Sequence, residues 1–289
     1  MLQAILDGLL QGGVLAMTAA GFSLVFGVLH IINLAHGIFV LLGAYIAVFI
    51  WKSLGIDPLL TIPVAAAVAF VLGYAYQRYL LQLVVSRVSL VSTLLVTLGT
   101  AMALRNVMSI AFSPDVQAIR PPYAMIPLRF GGMVADVMHI VAFVASLILL
   151  GILSAVLNFT PLGRSIRATA QQRLAAKICG INVEMTFALT FGIAAAFAAA
   201  SGVIVGMLFP FTPSSETHWT LYAFVVVVLG GAGSPAGALI GGLVLGLVSS
   251  LTVLLIGPAF PNAVAFLVLV LMLMIRPNGL LGNAFGAAR

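Results

Sequence analysis

The most restrictive feature of this chain is a succession of apolar runs, each close to the about 20 residues that a membrane-spanning helix needs. They fall near 8–29, 31–51, 58–76, 90–112, 137–158 and 184–209. One long stretch, 219–256, and a final run near 258–276 follow. Only 6% of the residues are charged, against about 25% in a soluble domain. No water-soluble fold of this length can hide so much apolar surface. The fold class is therefore an all-α integral membrane protein: a polytopic bundle of about eight full spans plus one short broken helix. Residues 1–289 read as a single transmembrane domain. Met1 to Asp7 contains no Lys or Arg. A cleaved signal peptide needs a basic leading segment, so the first run is read as a retained helix.

The net charge of +6 would raise the question of nucleic acid in a soluble protein. Here the bases sit in short loops between apolar runs, with no basic stripe on a polar helix and no zinc-ligand spacing, so nucleic acid is excluded as a partner. The single cysteine, Cys179, excludes an intrachain disulfide and a CxxC metal site. The loop bases instead set orientation. Arg78, Arg87, Arg164, Arg167, Arg173, Lys177, Arg276 and Arg289 fall on one side of the membrane, and Lys52, Arg120 and Arg129 on the other. The excess makes the first side cytoplasmic, with the N-terminus outside and the C-terminus inside. An odd number of passes must then separate the loop 210–219 from Arg276. The stretch 219–256 must turn back at Gly230-Gly231-Ala232-Gly233-Ser234-Pro235, where Gly and Pro break a helix. The arm before that turn is about 18 Å long, too short to span alone. The turn is thus expected inside the membrane thickness, sheltered by other helices.

Between two spans lies the segment 161–179, opened by Pro161 and stopped by Gly180. Leu162, Ile166, Ala170, Leu174 and Ile178 recur every four residues, with Arg164, Arg167, Arg173 and Lys177 on other faces. This pattern predicts one short amphipathic helix on the cytoplasmic side. It either seats in a groove of a soluble partner or lies on membrane lipid. Asn33 and His36 sit at a helix junction without charged neighbours. They read as a structural knot that hydrogen-bonds the turn, or as part of a solute path; a lone His lacks the co-ligands of a metal site. Arg105 lies inside a span, as a base snorkelling outward, a clamp for a solute carboxylate or a tether between helices. Glycines at GxxxG spacing, Gly202/Gly206, Gly233/Gly237/Gly241 and Gly242/Gly246, predict close helix packing within the subunit. Asn182 and Glu184 read as a helix cap and a first-turn acid.

Several blocks together carry a resemblance. They are Gly163-Arg164, Arg167-Ala168, Ala170-Gln171, Ala175-Ala176 and Gly180-Ile181-Asn182-Val183; Phe26-Gly27-Val28 with Ile32-Asn33-Leu34-Ala35-His36-Gly37 and Leu42-Gly43-Ala44-Tyr45; Leu229 to Ala238; and Arg276-Pro277-Asn278-Gly279-Leu280. In this order, over nearly the whole chain, they resemble the permeases of branched-chain amino acid ABC importers of the LivH/LivM type. The resemblance implies a subunit in the bacterial inner membrane that forms half of a translocation path. It implies as partners a second homologous permease, two ABC ATPase subunits and a periplasmic or lipid-anchored solute-binding protein, with membrane lipid around them. It makes 161–179 the ATPase-coupling helix, with Gly163, Arg164, Arg167, Ala170, Gln171, Arg173, Leu174, Lys177 and Gly180 as its residues. Asn33, His36, Arg105, Gly230, Gly231, Gly233, Ser234 and Pro235 become pathway or structural candidates. Urea, amide and sugar permeases share similar organisation, so those solutes are alternatives.

Catalytic chemistry finds little footing. There is no GxxxxGK[ST] loop and Lys occurs only at 52 and 177, so the chain has no ATP-binding loop of its own. Gly21-Phe22-Ser23-Leu24 lacks the second glycine of a nucleophile elbow, and Ser23 has no base placed for it. HExxH is absent; no cofactor or metal is expected. A secondary carrier or channel is the rival reading, opposed by the basic cytoplasmic segment and by the lack of acids away from span ends.

Overall fold

Lipid offers no partners for backbone N–H and C=O groups, so each apolar run must close its own hydrogen bonds as a helix. The computed structural model describes residues 1–85, 90–124, 126–130, 132–276 and 278–282. Arg87, Arg289 and Pro277, used above, lie outside them. The helices are α1 (Leu2–Leu29), α2 (His36–Leu54), α3 (Ile62–Tyr76), α4 (Gln82–Val85), α5 (Leu90–Phe112), α6 (Val137–Phe159), α7 (Pro161–Gln171), α8 (Arg173–Ile178), α9 (Val183–Leu208), α10 (Glu216–Gly230), α11 (Pro235–Leu255) and α12 (Pro261–Ile275). A 3₁₀ turn, Pro58–Thr61, leads into α3, and a π-helical turn, Gln77–Leu81, joins α3 to α4. A small antiparallel hairpin, β1 (Pro127–Phe130) and β2 (Met133–Asp136), precedes α6, with Pro127 opposite Asp136.

Among the described residues, seven helical spans are long and apolar enough to cross a membrane. The expected eighth, 258–276, is shorter. Gly257 holds φ 131° and α12 begins only at Pro261, leaving 15 residues, or about 22 Å of helix. The second span also starts late. Ile31 to Ala35 is not helical, and α2 begins at His36.

That late start is specified by hydrogen bonds. His30 ends α1 in the left-handed conformation, its N–H bonded to Phe26 O. The chain then runs back along α1 rather than turning at the bundle's end. His36 Nε2 lies 2.7 Å from Thr18 O. A carbonyl only accepts, so this nitrogen carries the proton. Thr18 lies about 16 Å of helix inside the end of α1, so α2 starts within the thickness of the bundle.

The second half repeats this plan upside down. α9 is long and buried, an extended segment returns from its end, and α10 starts inside the bundle against the head of α2. Packing follows the same correspondence: α1 lies along α11 and α10, as α9 lies along α3 and α2. α1 runs toward the end that carries α7 and α8, where its Leu29 O meets Arg173. α9 starts from that end and finishes at the hairpin end, beside Gln3 and Asp7. The two halves therefore have opposite directions, the plan of inverted-repeat transporters.

Small residues set the closest contacts. A Cβ on Gly8 would stand 2.9 Å from Leu247 Cα, and one on Gly12 would stand 2.8 Å from Leu243 Cα. Gly242 and Gly246 face Ala16 and Gly12 in return. Gly202 likewise admits Val40 of α2, and Gly241 admits Val226 of α10. All these contacts lie within one subunit.

Candidate functional site

Two regions collect the polar groups that an apolar bundle has to account for. The first is the α7–α8 end. Thr160 caps α7, accepting the Gly163 N–H at 3.0 Å. Gln172, at φ −155° and ψ 107°, then breaks the helix before α8. The continuous helix expected over 161–179 is thus two pieces, and its apolar stripe is divided. Ile166 is fully buried and Ala170 is buried with Gly163 against the bundle, whereas Leu174 and Ile178 are 67% and 78% exposed. The cause lies at Arg173. Its guanidinium turns inward, donates to Leu29 O at 2.6 Å and lies 5.0 Å from the centre of the Phe187 ring. Burial lowers the pKa of this guanidinium from its ordinary value. Anchoring Arg173 resets the helical phase, and the residues after it face outward.

Arg167 also points inward and bonds Leu157 O. Arg164, Gln171, Lys177 and Gly180 remain exposed. Between α8 and the start of α9 opens a cleft of about 740 Å³, lined by Arg173, Leu174, Lys177, Gly180, Asn182 and Glu184 among others. Asn182 caps α9 through the Met185 N–H at 3.0 Å. Glu184 pairs with Arg78 at 2.8 Å, joining the ends of two spans at the surface. Such an exposed pair contributes at most about 1 kcal/mol. The resulting surface is basic, with apolar side chains projecting from it.

The second region lies inside the bundle, where the two mid-thickness helix starts meet. Asn33 Oδ1 accepts the Ala35 N–H at 3.1 Å. The Leu34 N–H donates to Thr97 Oγ1 at 3.3 Å, and the Gly37 N–H to Thr220 Oγ1 at 2.8 Å. These threonines of α5 and α10 satisfy backbone groups at the head of α2 that lipid could not. Asn33 and His36 are both buried and both engaged within the chain. Arg105 Nη1 lies 3.4 Å from Glu216 Oε1, across from α5 to the first turn of α10.

The break between α10 and α11 is built from three directions. The Gly233 N–H donates to Ser23 Oγ of α1 at 3.0 Å. Ser234 caps α11 through the Gly237 N–H at 2.8 Å, with Pro235 as the first helical residue. The Leu280 and Leu281 N–H groups donate to Leu229 O at 2.8 Å and Gly230 O at 3.1 Å. The segment after α12 thereby closes the open end of α10. Ser23 lies about 9 Å of helix inside the end of α1, so the turn sits within the bundle. Gly230 packs on Gly237, and Gly231 against Gly282 and Gly279.

The sequence singles out Asn33, His36, Arg105 and the Gly-rich break, and Ser23 only as a rejected nucleophile, but not Thr18, Thr97, Thr220 or Glu216. Glu216 left one trace. It is one of six acids in the chain, and it lies three residues before the apolar stretch that begins at Trp219. Among the described residues no group of His, Cys, Asp and Glu could hold a metal ion.

The comparisons with known proteins agree with this architecture. The family model described as "Branched-chain amino acid transport system / permease component" matches residues 4–275. The high-affinity branched-chain amino acid transport system permease protein BraD of Pseudomonas aeruginosa is 32% identical over 298 residues, covering 98% of this chain and 96% of that protein. The corresponding protein LivH of Salmonella typhimurium is 30% identical over 307 residues, covering 98% and 96%. A probable branched-chain amino acid transport permease protein LivH of Methanocaldococcus jannaschii is 26% identical over 290 residues, covering 96% and 92%. No solved structure matches. With a matching model that spans nearly all of its helices, the chain belongs to the family of branched-chain amino acid transport system permease components.

Proposed function

We propose that this permease works in the bacterial inner membrane as one of two homologous membrane subunits of an ATP-driven importer for branched-chain amino acids or related small polar solutes. Two ATPase subunits act from the cytoplasm and a solute-binding protein from outside. The α7–α8 end is cytoplasmic, the N-terminus is outside, and the C-terminus is inside. The bases support this orientation, since Arg78, Arg164, Arg167, Arg173 and Lys177 gather at that end. The solute path runs along the polar groups where the two inverted halves meet. Asn33, His36 and the turn Gly230 to Pro235 support its wall, because Asn33 Oδ1, His36 Nε2 and the Gly233 and Gly237 N–H groups are engaged within the chain.

The observation that carries the coupling reading is the division at Gln172. α7 is anchored into the bundle by Ile166, Ala170 and Arg167, while α8 presents Leu174, Ala175 and Ile178 outward beside a basic cleft. A partner groove that takes up those apolar residues can pull on α7, and through α7 on α1, α6 and α9, against which it packs. Of the residues the family resemblance assigns to coupling, Leu174 and Lys177 are the contacts. Gly163, Arg167 and Ala170 are the seat that transmits the movement.

The test is Leu174→Glu in the reconstituted complex. Uptake and the solute-linked rise in ATPase rate are expected to fall at least about tenfold, since a buried charge in an apolar groove is costly. Membrane insertion should be unchanged, because Leu174 lies outside the spans. Normal uptake by an intact complex would mean that α8 lies on lipid instead.

A further inference from the structure

Among the described residues, the exposed face of α5 differs from those of the other outer spans. On α3, α6 and α12 the side chains that point away from the bundle are apolar along the body of each helix, as lipid requires. On α5 the outward face carries Asn106, exposed and set two turns inside the helix end. Among the described residues, its amide donates only to Met102 O of its own helix, at 2.9 Å. Next to it, Arg105 keeps 29% of its side chain exposed, while its partner Glu216 keeps only 5%. The pair is loose at 3.4 Å, and this is the one hydrogen bond of the Arg105 side chain among the described residues. Glu216 Oε1 also accepts from Thr217 Oγ1 at 2.8 Å, which holds the carboxylate in place whether or not the arginine stays.

Two turns further toward the hairpin end, on the same stripe of α5, Phe112 stacks on Tyr45 with ring centres 4.7 Å apart. These rings line an open cleft of about 310 Å³ between α2 and α5, together with Val48, Lys52 and Gln117. Lys52 Nζ donates to Gln117 Oε1 at 2.7 Å at its mouth. A cation-bearing, aromatic-walled cleft thus opens on the stripe that leads inward to a loosely held ion pair. Polar groups on a spanning helix are costly against hydrocarbon, and an intramembrane ion pair points to a path.

We propose that the α5 face around Arg105 and Asn106 is a solute-contacting wall of the translocation path, and that the Arg105–Glu216 pair takes a zwitterion. The solute's carboxylate accepts from the free N–H groups of Arg105, its ammonium donates to Glu216, and the pair re-forms when the solute leaves. Four charges in two pairs remain balanced throughout, so a solute with both groups passes where a lone anion or cation would strand one protein charge. The looseness of the resting pair suits weak, reversible binding. Arg105 and Glu216 are specificity-determining residues in this account. It rests on the permease reading above and adds the residues that select the solute.

The experiment uses the full complex in proteoliposomes, with its binding protein outside, ATP inside and L-leucine as solute. The double variant Arg105→Gln/Glu216→Gln keeps a neutral hydrogen-bonding pair of similar length, so a simple tether would survive. Uptake of L-leucine is expected to fall at least about tenfold in a complex that still assembles, because two charged contacts are lost. In parallel, Asn106→Cys in a Cys179→Ser background should react with a charged, lipid-insoluble thiol reagent at least about tenfold faster than Val68→Cys on the lipid face of α3. Wild-type uptake by the double variant, or equal reactivity of the two cysteines, would make the pair a tether on a lipid-facing helix. If the double variant does not assemble, the cysteine comparison decides by itself. Should the unaltered complex show no ATP-driven uptake of L-leucine, the function proposed above fails, and the reactivity of Asn106→Cys still reports on the wall.

Discussion

At φ 100° and ψ 140° Gly231 holds a backbone conformation that residues with a Cβ rarely adopt, and a side chain there would also meet Gly282. Gly231→Ala should therefore destabilise the protein by roughly 1–3 kcal/mol, seen as a lower melting temperature of the purified complex and reduced uptake. Gly151→Ala, in open space on α6, should leave both unchanged. Residues of this kind were legible in the sequence only in part. Asn33 and His36 stood out because each is a polar group next to an apolar run. Arg105 stood out because a base inside a span is rare. Glu216 did not, because it borders a loop and its partner lies 111 residues away. Ser23 looked like a failed nucleophile. Its actual role, holding Gly233 from 210 residues away, has no local signature.

At the level of elements, hydropathy located nearly every helix, because lipid imposes one length and one hydrogen-bonding solution. It misplaced the ends where tertiary contacts override the pattern. The apolar residues Ile31 and Ile32 look like the start of a span, yet they lie in a non-helical segment, with His36 and Asn33 fixing the helix start. The four-residue stripe of 161–179 looked continuous, yet Arg173 found Leu29 O and Phe187 and divided it. Of the glycines at GxxxG spacing, Gly202, Gly241, Gly242 and Gly246 pack on helices of the same chain. Gly12→Leu should therefore force α1 off α11, at a cost of about 1–3 kcal/mol or more for overpacking. The loss should appear as reduced yield of folded protein from detergent. Gly151→Leu adds the same volume on the open side of α6 and should not reduce it.

Over the whole molecule, the two opposed halves escaped the sequence because they share almost no side chains. The clearest trace is that Gly27-Val28-Leu29 and Gly206-Met207-Leu208 end the two long helices. Inverted repeats are matched by backbone direction and packing, which diverged residues can keep. The orientation proposed from charge placement is directly testable. Cys179 is exposed at the α7–α8 end, so an impermeant thiol reagent should label the unaltered protein only after cells are opened. Ser214→Cys in a Cys179→Ser background should be labelled in intact cells. The reverse pattern would invert the assignment of the cytoplasmic face. The bonds from Leu280 and Leu281 to Leu229 and Gly230 also bear on biogenesis. On the ribosome, the acceptors emerge well before their donors. α10, with 15 residues and an unsealed end, reaches the bilayer too short to be inserted on its own hydropathy. It has to wait against α1 while α11 and α12 are threaded. Residues 278–282 then act as a clasp fastened last, and the second half becomes a closed unit only when translation has delivered them.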